Sequence, residues 1–465
     1  MPSDERVLAD AVRQAQVTRE VAIAPGALSG VVEVAARHFP GAPVVVVADR
    51  NTFRAAGERA LAAFAGEGAP ADLFLFEERR RLKPLVEHSR RLAERLRCGA
   101  VPVAVGSGVI NDVVKYAAAL AAKPYLCIPT AASMDGYAAS GAALLDQGFK
   151  RTFACAPPVA ILVDTDVLAA APPEMAAWGY GDLVGKLVAG ADWMLADAFG
   201  EEAIAARPYA LVQENLAGWL AEPARIAAGD RAAIRALAEG LLISGFAMQA
   251  HGNSRPASGS DHQFSHLWEM EGLTVAGVPA AHGACVGVGT VAMLALYEQL
   301  LAREITRADV ERVAARPRSL DERLREVAAA FPAGPIRDSA LDEVRAKWAP
   351  AHRLAGRLSR LPEVWPELRQ RLQEKLPFAA DVQTWLRAVG APASPADLDI
   401  SRSKLSADYR RARFIRRRYT ALDLLDDLGW LDESVDSLFV AGGFWRVRPT
   451  PSGRAGHAYA RPRTA

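Results

Sequence analysis

Cysteine is scarce in this 465-residue chain: Cys98, Cys127, Cys155 and Cys285 are all there is, and no two stand in C-x-x-C spacing. That spacing excludes a disulfide framework and a thiolate metal cluster, and the four are read as buried thiols of a reducing cytoplasm. A charge bias is missing too. Lys plus Arg number 55 against 54 Asp plus Glu, a net charge of +1, so neither nucleic acid nor an anionic membrane is expected as a partner. The opening stretch MPSDERVLADAVRQAQVTRE mixes charges of both signs and has no apolar segment, so no secretory signal is expected. Long apolar runs are absent except for one, the uncharged segment Val275–Tyr297, long enough to suggest a membrane span. Pro279 breaks it, glycines crowd it, and His282 within it would be costly in hydrocarbon. It is read as a buried core helix of a soluble protein.

With 51% hydrophobic and 23% charged residues, the composition is that of an ordinary globular protein too long for one core, so two domains are expected. The first part alternates short apolar runs with helical patterns. Val44–Ala48, Leu73–Phe76, Val101–Val105, Tyr125–Ile128 and Val159–Val163 are read as strands, with helices over Leu85–Leu96 and Asp112–Ala122. Near-continuous apolar strands alternating with helices imply a mostly parallel sheet covered on both faces. Ala143–Phe153 reads instead as an antiparallel hairpin turning near Gln147-Gly148. From Pro172-Pro173 onward strand signals disappear and apolar residues recur at helical spacing, as over Arg231–Ala250 and Val310–Ala330. The expected division is residues 1–171 as an α/β domain, 172–450 as a helical domain and 451–465 as a disordered tail. The basic run Arg410–Arg418 is read as a solvated helix face.

Four segments carry potential chemistry. In PVAVGSGVINDVVK an apolar strand meets a glycine-rich turn, then a helix beginning near Asn111-Asp112. Gly106 and Gly108 would let the backbone approach a pyrophosphate at that helix N-terminus, or simply make a tight strand-to-helix turn, since the pattern is not G-x-G-x-x-G. In YLCIPTAASMDGYAASGAAL, Asp135 is either a turn residue or a ligand contact. Asp182 in GYGDLVGK is either a helix cap or a metal ligand. His262 and His266 share a helix face four residues apart, and His282 follows in the apolar run. One carboxylate and two imidazoles on separate segments suit a catalytic metal with an open position, although the glutamate of the two-histidine zinc motif is missing.

Taken together, IPTAASMDGYAASGAA, SRPASGSDHQFSHLWEM and HGACVGVGT closely resemble the matching stretches of the sn-glycerol-1-phosphate dehydrogenases, within the wider group of dehydroquinate synthases and metal-dependent polyol dehydrogenases. GSGVINDVVKYAA, GYGDLVGK and the late stretch ending DISRSKLSADYRRARFIRRRYTALDLLDDLG extend the likeness over roughly Val44 to Gly429. The resemblance implies an N-terminal nucleotide-binding, Rossmann-like α/β domain, an all-helical C-terminal domain and an active site in the cleft between them. It implies metal ligation by Asp182, His262 and His282, with His266 facing the substrate and Asp135 binding it. Gly106, Ser107, Gly108, Val109, Ile110, Thr130 and Ser133 would line the dinucleotide. Asp49, ending the strand VVVVAD, would accept from the ribose 2′-OH, favouring NAD(H) while leaving NADP(H) open. A homodimer is implied as well. Two positions depart from the family pattern: Asp261 stands where glutamate usually precedes the first histidine, and Ala139 where a serine is common.

The reaction so implied is reversible, nicotinamide-dependent reduction of dihydroxyacetone phosphate to sn-glycerol 1-phosphate with one divalent metal (zinc, nickel or iron) as Lewis acid. Asp182 then stands beside the substrate as well as the metal, and His266 is one route for the proton, a metal-bound water the other. Arg255 and Lys186 are the candidate phosphate cations. A dehydrogenase of another polyol or phosphorylated ketose, and a dehydroquinate-synthase-like cyclase, are the competing readings. A non-catalytic nucleotide-binding module is disfavoured, because Asp135, Asp182, His262, His266 and His282 are all intact.

Overall fold

A computed structural model describes residues 5–78, 82–146 and 149–446. The tail at 451–465 and the Gln147-Gly148 turn lie outside them. Eight strands occupy the first part: β1 (Glu20–Ala24), β2 (Val44–Asp49), β3 (Ala71–Phe76), β4 (Val101–Gly106), β5 (Leu126–Pro129), β6 (Ala142–Asp146), β7 (Phe149–Phe153) and β8 (Ala160–Asp164). Six of them form one sheet, ordered β1-β8-β5-β4-β2-β3, and every pairing in it is parallel. The central strands β4, β5 and β8 are buried at every residue, as expected for a sheet covered on both faces. β6 and β7 stand apart as the expected antiparallel hairpin.

One sheet strand has no counterpart in the sequence reading. β1 pairs with β8 at the sheet edge, and of its five residues, EVAIA, only Ile23 is buried. An edge strand with one half-covered face needs no apolar run, so the usual signal is absent.

Five helices carry the site: α1 (Gly108–Leu120), α2 (Pro173–Ala198), α3 (Arg231–His251), α4 (Ser260–Met270) and α5 (His282–Leu301). The region after Pro172 is helical apart from two short strands, Thr274–Val275 and Val278–Pro279. They take up the start of the apolar run, where Ala276 and Gly277 both adopt positive φ, so the helix begins only at His282. α5 is long and apolar enough to cross a membrane, yet 89% of its most apolar window is buried inside the protein. It is a core helix, apolar on all sides because it is surrounded. Val310–Ala330 is not one helix but two, Arg307–Ala314 and Leu320–Ala330, parted at Pro317. Ser319 restarts the second through a capping box with Glu322.

Candidate active site and metal centre

In the six-stranded sheet the chain runs outward from β2 to β3 on one side and from β4 to β5 on the other. The carboxyl ends of β2 and β4 therefore flank a topological switch point, the place where open α/β sheets bind ligands. Asp49 ends β2 and Gly106 ends β4. α1 begins at Gly108, earlier than the Asn111-Asp112 start read from sequence, because extended Ser107 acts as its N-cap. Gly108, Val109 and Ile110 thus form its first turn, whose N–H groups lack helical partners. Glycine at 106 is a packing requirement: an added Cβ would lie 2.5 Å from the Ile110 Cβ. Thr130 donates its backbone N–H to the Gly106 carbonyl at 3.2 Å, and both Thr130 and Ser133 are buried beside this turn. Asp49 Oδ1 accepts from the N–H groups of Asn51 and Thr52, capping the short helix that follows. Among the described residues its Oδ2 takes no hydrogen bond.

Asp182 in α2, His262 in α4 and His282 at the start of α5 come together, their donor atoms all within 4.8 Å of one another. Glycines make this possible. α2 and α5 touch backbone to backbone: a Cβ on Gly181 would sit 2.3 Å from the Gly283 carbonyl oxygen, and one on Gly283 would sit 1.9 Å from the Trp178 carbonyl oxygen. Gly185 gives room to the Asp261 carboxylate, 2.6 Å from where its Cβ would be. Asp192, buried in α2, seats α4 by accepting from the Ser260 N–H and hydroxyl, and also takes the Tyr297 hydroxyl. The donor set is chemically right for a divalent transition metal: one carboxylate and two imidazoles.

Each imidazole is oriented through its other nitrogen, as metal-binding histidines usually are. His262 Nδ1 lies 2.6 Å from Asp261 Oδ2. Burial opposes charge on this ring, but Asp261 and Asp182 outweigh it and raise its pKa to about 9. His282 Nδ1 meets Glu269 Oε1 at 2.5 Å. Glu269 also takes the Ser265 hydroxyl and an ion pair from Lys150 on the β6–β7 hairpin, a link between the two parts of the chain. Burial opposes its charge too, yet Lys150 and His282 hold its carboxyl well below the usual range.

Asp135 joins the centre twice. Its N–H donates to Asp182 Oδ2 at 2.9 Å, and Lys186 bridges the two carboxylates, 2.8 Å from Asp135 and 2.7 Å from Asp182. Despite burial, this lysine and the nearby imidazoles keep Asp182 ionised far below the ordinary range. Ser244 Oγ donates to Asp135 Oδ2 at 2.9 Å. His266 lies within the same histidine group, its ring centroid 6.0 Å from His262 and 5.8 Å from His282. Burial and the nearby Arg416 push its pKa well below the usual histidine value, so it is neutral.

Both candidate phosphate cations already have protein partners. Arg255 is fully buried, bound to the Asp192 carbonyl and near Glu202, while Lys186 is committed to two carboxylates. The reading of Arg410–Arg418 as a solvated helix face also fails. The helix ends at Arg411, Arg413 is buried against Glu326 and Asp426, and Arg418 bonds to Ser254 and Ser258. Arg416 comes within 3.4 Å of His266. Sequence reasoning also missed Lys115, whose buried ammonium donates to the carbonyls of Gly136, Ala139 and Gly141 and fixes the loop after Asp135. A lysine on the apolar face of α1 was the available signal.

A parallel α/β unit joined to a helical unit, with an Asp-His-His cluster beside the sheet's switch point, is the architecture of two-domain, metal-dependent dehydrogenases. The family model for iron-containing alcohol dehydrogenases matches residues 22–172. A solved glycerol dehydrogenase from Schizosaccharomyces pombe has the same fold, with a TM-score of 0.60 and 15% identity over 91% of each chain. Glycerol-1-phosphate dehydrogenase [NAD(P)+] of Bacillus velezensis is 30% identical over 389 residues, 82% of this chain and 85% of that one. The enzyme of the same name from Pyrococcus furiosus is 31% identical over 281 residues, 60% of this chain and 78% of its own. The chain belongs to the glycerol-1-phosphate dehydrogenase family.

Proposed function

We propose that this protein catalyses the reversible NAD(P)-dependent reduction of dihydroxyacetone phosphate to sn-glycerol 1-phosphate. The observation that carries the proposal is the convergence of Asp182, His262 and His282 within 4.8 Å, in a chain 30% identical to a glycerol-1-phosphate dehydrogenase. These three residues would hold one divalent metal. When bound, the metal supplies Lewis acidity at the substrate's C2 oxygen and the nicotinamide supplies the hydride. Asp135 accepts from a substrate hydroxyl, held in place by Lys186 and Ser244. Neutral His266 serves as a hydrogen-bonding group at the rim, its Nε2 turned towards Arg416. Gly106 to Ile110, Thr130 and Ser133 bind the dinucleotide, its pyrophosphate on the first turn of α1. The unbonded oxygen of Asp49 accepts from a ribose hydroxyl and favours NAD(H).

Residues 1–171 act as the nucleotide domain and 172–450 as the metal and substrate domain. The resemblance to the family extends the reading to a soluble cytoplasmic homodimer, which light scattering of the purified protein checks. The decisive experiment is NADH oxidation with dihydroxyacetone phosphate after reconstitution with zinc, nickel or ferrous iron, with chiral analysis of the product. No oxidation with any of the three metals, or formation of sn-glycerol 3-phosphate, would refute the proposal.

A further inference from the structure

The run Arg410–Arg418 contains six arginines, and five have settled partners. Arg410 pairs with Asp432 and Asp436, Arg411 with Asp408 and Glu271, Arg413 with Glu326 and Asp426, and Arg417 with Glu343. Arg418 spends its guanidinium on the Ser258 carbonyl at 2.8 Å and the Ser254 hydroxyl at 2.7 Å. Arg416 is different. Among the described residues no carboxylate lies within 4.0 Å of it, and its one polar contact is His266 Nε2 at 3.4 Å, a long and weak bond. The nearest acids are already engaged: Glu343 holds Arg417, and Glu269 holds Lys150 and His282.

The Arg416 guanidinium is half-buried, and with His266 as its one polar contact most of its N–H groups are free for an anion. Its fork geometry matches a phosphate bidentately. It sits one imidazole beyond the three metal-ligand side chains, since His266 packs against both His262 and His282. A triose phosphate whose central C2 carbonyl lies at that cluster carries its phosphate only one carbon and one ester oxygen away, on the scale of the single imidazole that separates Arg416 from the cluster.

We infer that Arg416 is the residue that binds the substrate phosphate and sets selectivity for a phosphorylated triose over the free one. The inference rests on the proposed reaction. It makes Arg416 the cation that Arg255 and Lys186 are not. Lowered affinity of Arg416 for its proton, caused by burial and opposed by Glu343 and Glu269, agrees with a positive group awaiting an anion.

The test uses the full-length, metal-loaded protein with Arg416→Gln, Arg416→Lys and, as control, Arg410→Gln, whose partners Asp432 and Asp436 are exposed. Steady-state rates are compared for dihydroxyacetone phosphate and dihydroxyacetone, and binding of inorganic phosphate and of dihydroxyacetone phosphate is measured by calorimetry. Arg416→Gln should lower the kcat/KM ratio between the two substrates by about 100-fold, mostly through KM, and weaken phosphate binding to match. Arg416→Lys should recover part of the loss, and the control should match the wild type. Three results would overturn the inference: an unchanged KM for dihydroxyacetone phosphate, an equal loss on both substrates, or a loss confined to NADH, which would assign the anion to the dinucleotide. If the wild type fails to turn over dihydroxyacetone phosphate, the proposed reaction falls. Calorimetry then decides Arg416 separately, and unchanged phosphate binding in Arg416→Gln overturns its role.

Discussion

Substituting Gly283 by alanine should damage the metal centre without touching a metal ligand. Gly283 lies where α5 crosses α2, and a Cβ there would stand 1.9 Å from the Trp178 carbonyl oxygen, against about 3.4 Å for ordinary contact. The obstacle is helix backbone, so neither a rotamer change nor a flexible side chain can relieve it. The two helices must part by about 1.5 Å, an overpacking cost of about 1–3 kcal/mol. That lowers the melting temperature by about 1–3 °C while leaving a folded protein. The larger effect falls on the site. Asp182 and His282 ride on the two parted helices, and their donor atoms, with those of His262, now lie within 4.8 Å. A metal requires each donor at about 2.0–2.2 Å, so a spread of that size removes one ligand from reach and should weaken zinc binding at least about 100-fold. Thermal unfolding with and without zinc, together with competitive zinc titration, measures both effects. Wild-type zinc affinity in a folded Gly283→Ala protein would refute the argument that this crossing sets the distance between Asp182 and His282.

Four further outcomes are expected. His282→Ala should remain folded by circular dichroism yet lose metal on elemental analysis and nearly all turnover; full activity in that variant after chelation would remove the metal assignment. Glu269→Gln should leave Lys150 without its partner and His282 without its orienting carboxylate, lowering metal affinity by about 10- to 100-fold in equilibrium dialysis. A proton competes with the metal at His262, whose pKa is raised to about 9: below that pH the ring is charged and above it neutral. Apparent metal affinity should therefore rise up to about tenfold per pH unit towards pH 9, as read by titration across pH 6 to 9. Asp49→Ser keeps a helix cap but removes a negative charge from the proposed ribose site, so the NADPH to NADH ratio of kcat/KM should increase.

The strands at Val44, Val101 and Tyr125 were legible because a buried parallel strand is almost wholly apolar, and that pattern is local. The edge strand Glu20–Ala24 was not, because only Ile23 needed to be buried. The same limit explains the helix boundaries. Proline at 317 splits what apolar spacing alone joined, and positive φ at Ala276 and Gly277 delays α5 to His282.

Residue types and their order decided the fold class and the strand-to-helix turn at Gly106 and Ser107, and offered Asp182, His262, His266 and His282 as possible ligands, while the resemblance to the family singled out Asp182, His262 and His282. Periodicity, turn chemistry and donor type are all properties of neighbours along the chain. Which groups meet was decided by packing. The Gly181–Gly283 crossing, the reach of Lys150 to Glu269, the Lys186 bridge from Asp135 to Asp182, and the arrival of Arg416 beside His266 join segments far apart in sequence. A charge run has the same local pattern whether it faces water or an active site. Only the tertiary contacts, by giving five of its arginines a partner and leaving Arg416 without a carboxylate, distinguish the two.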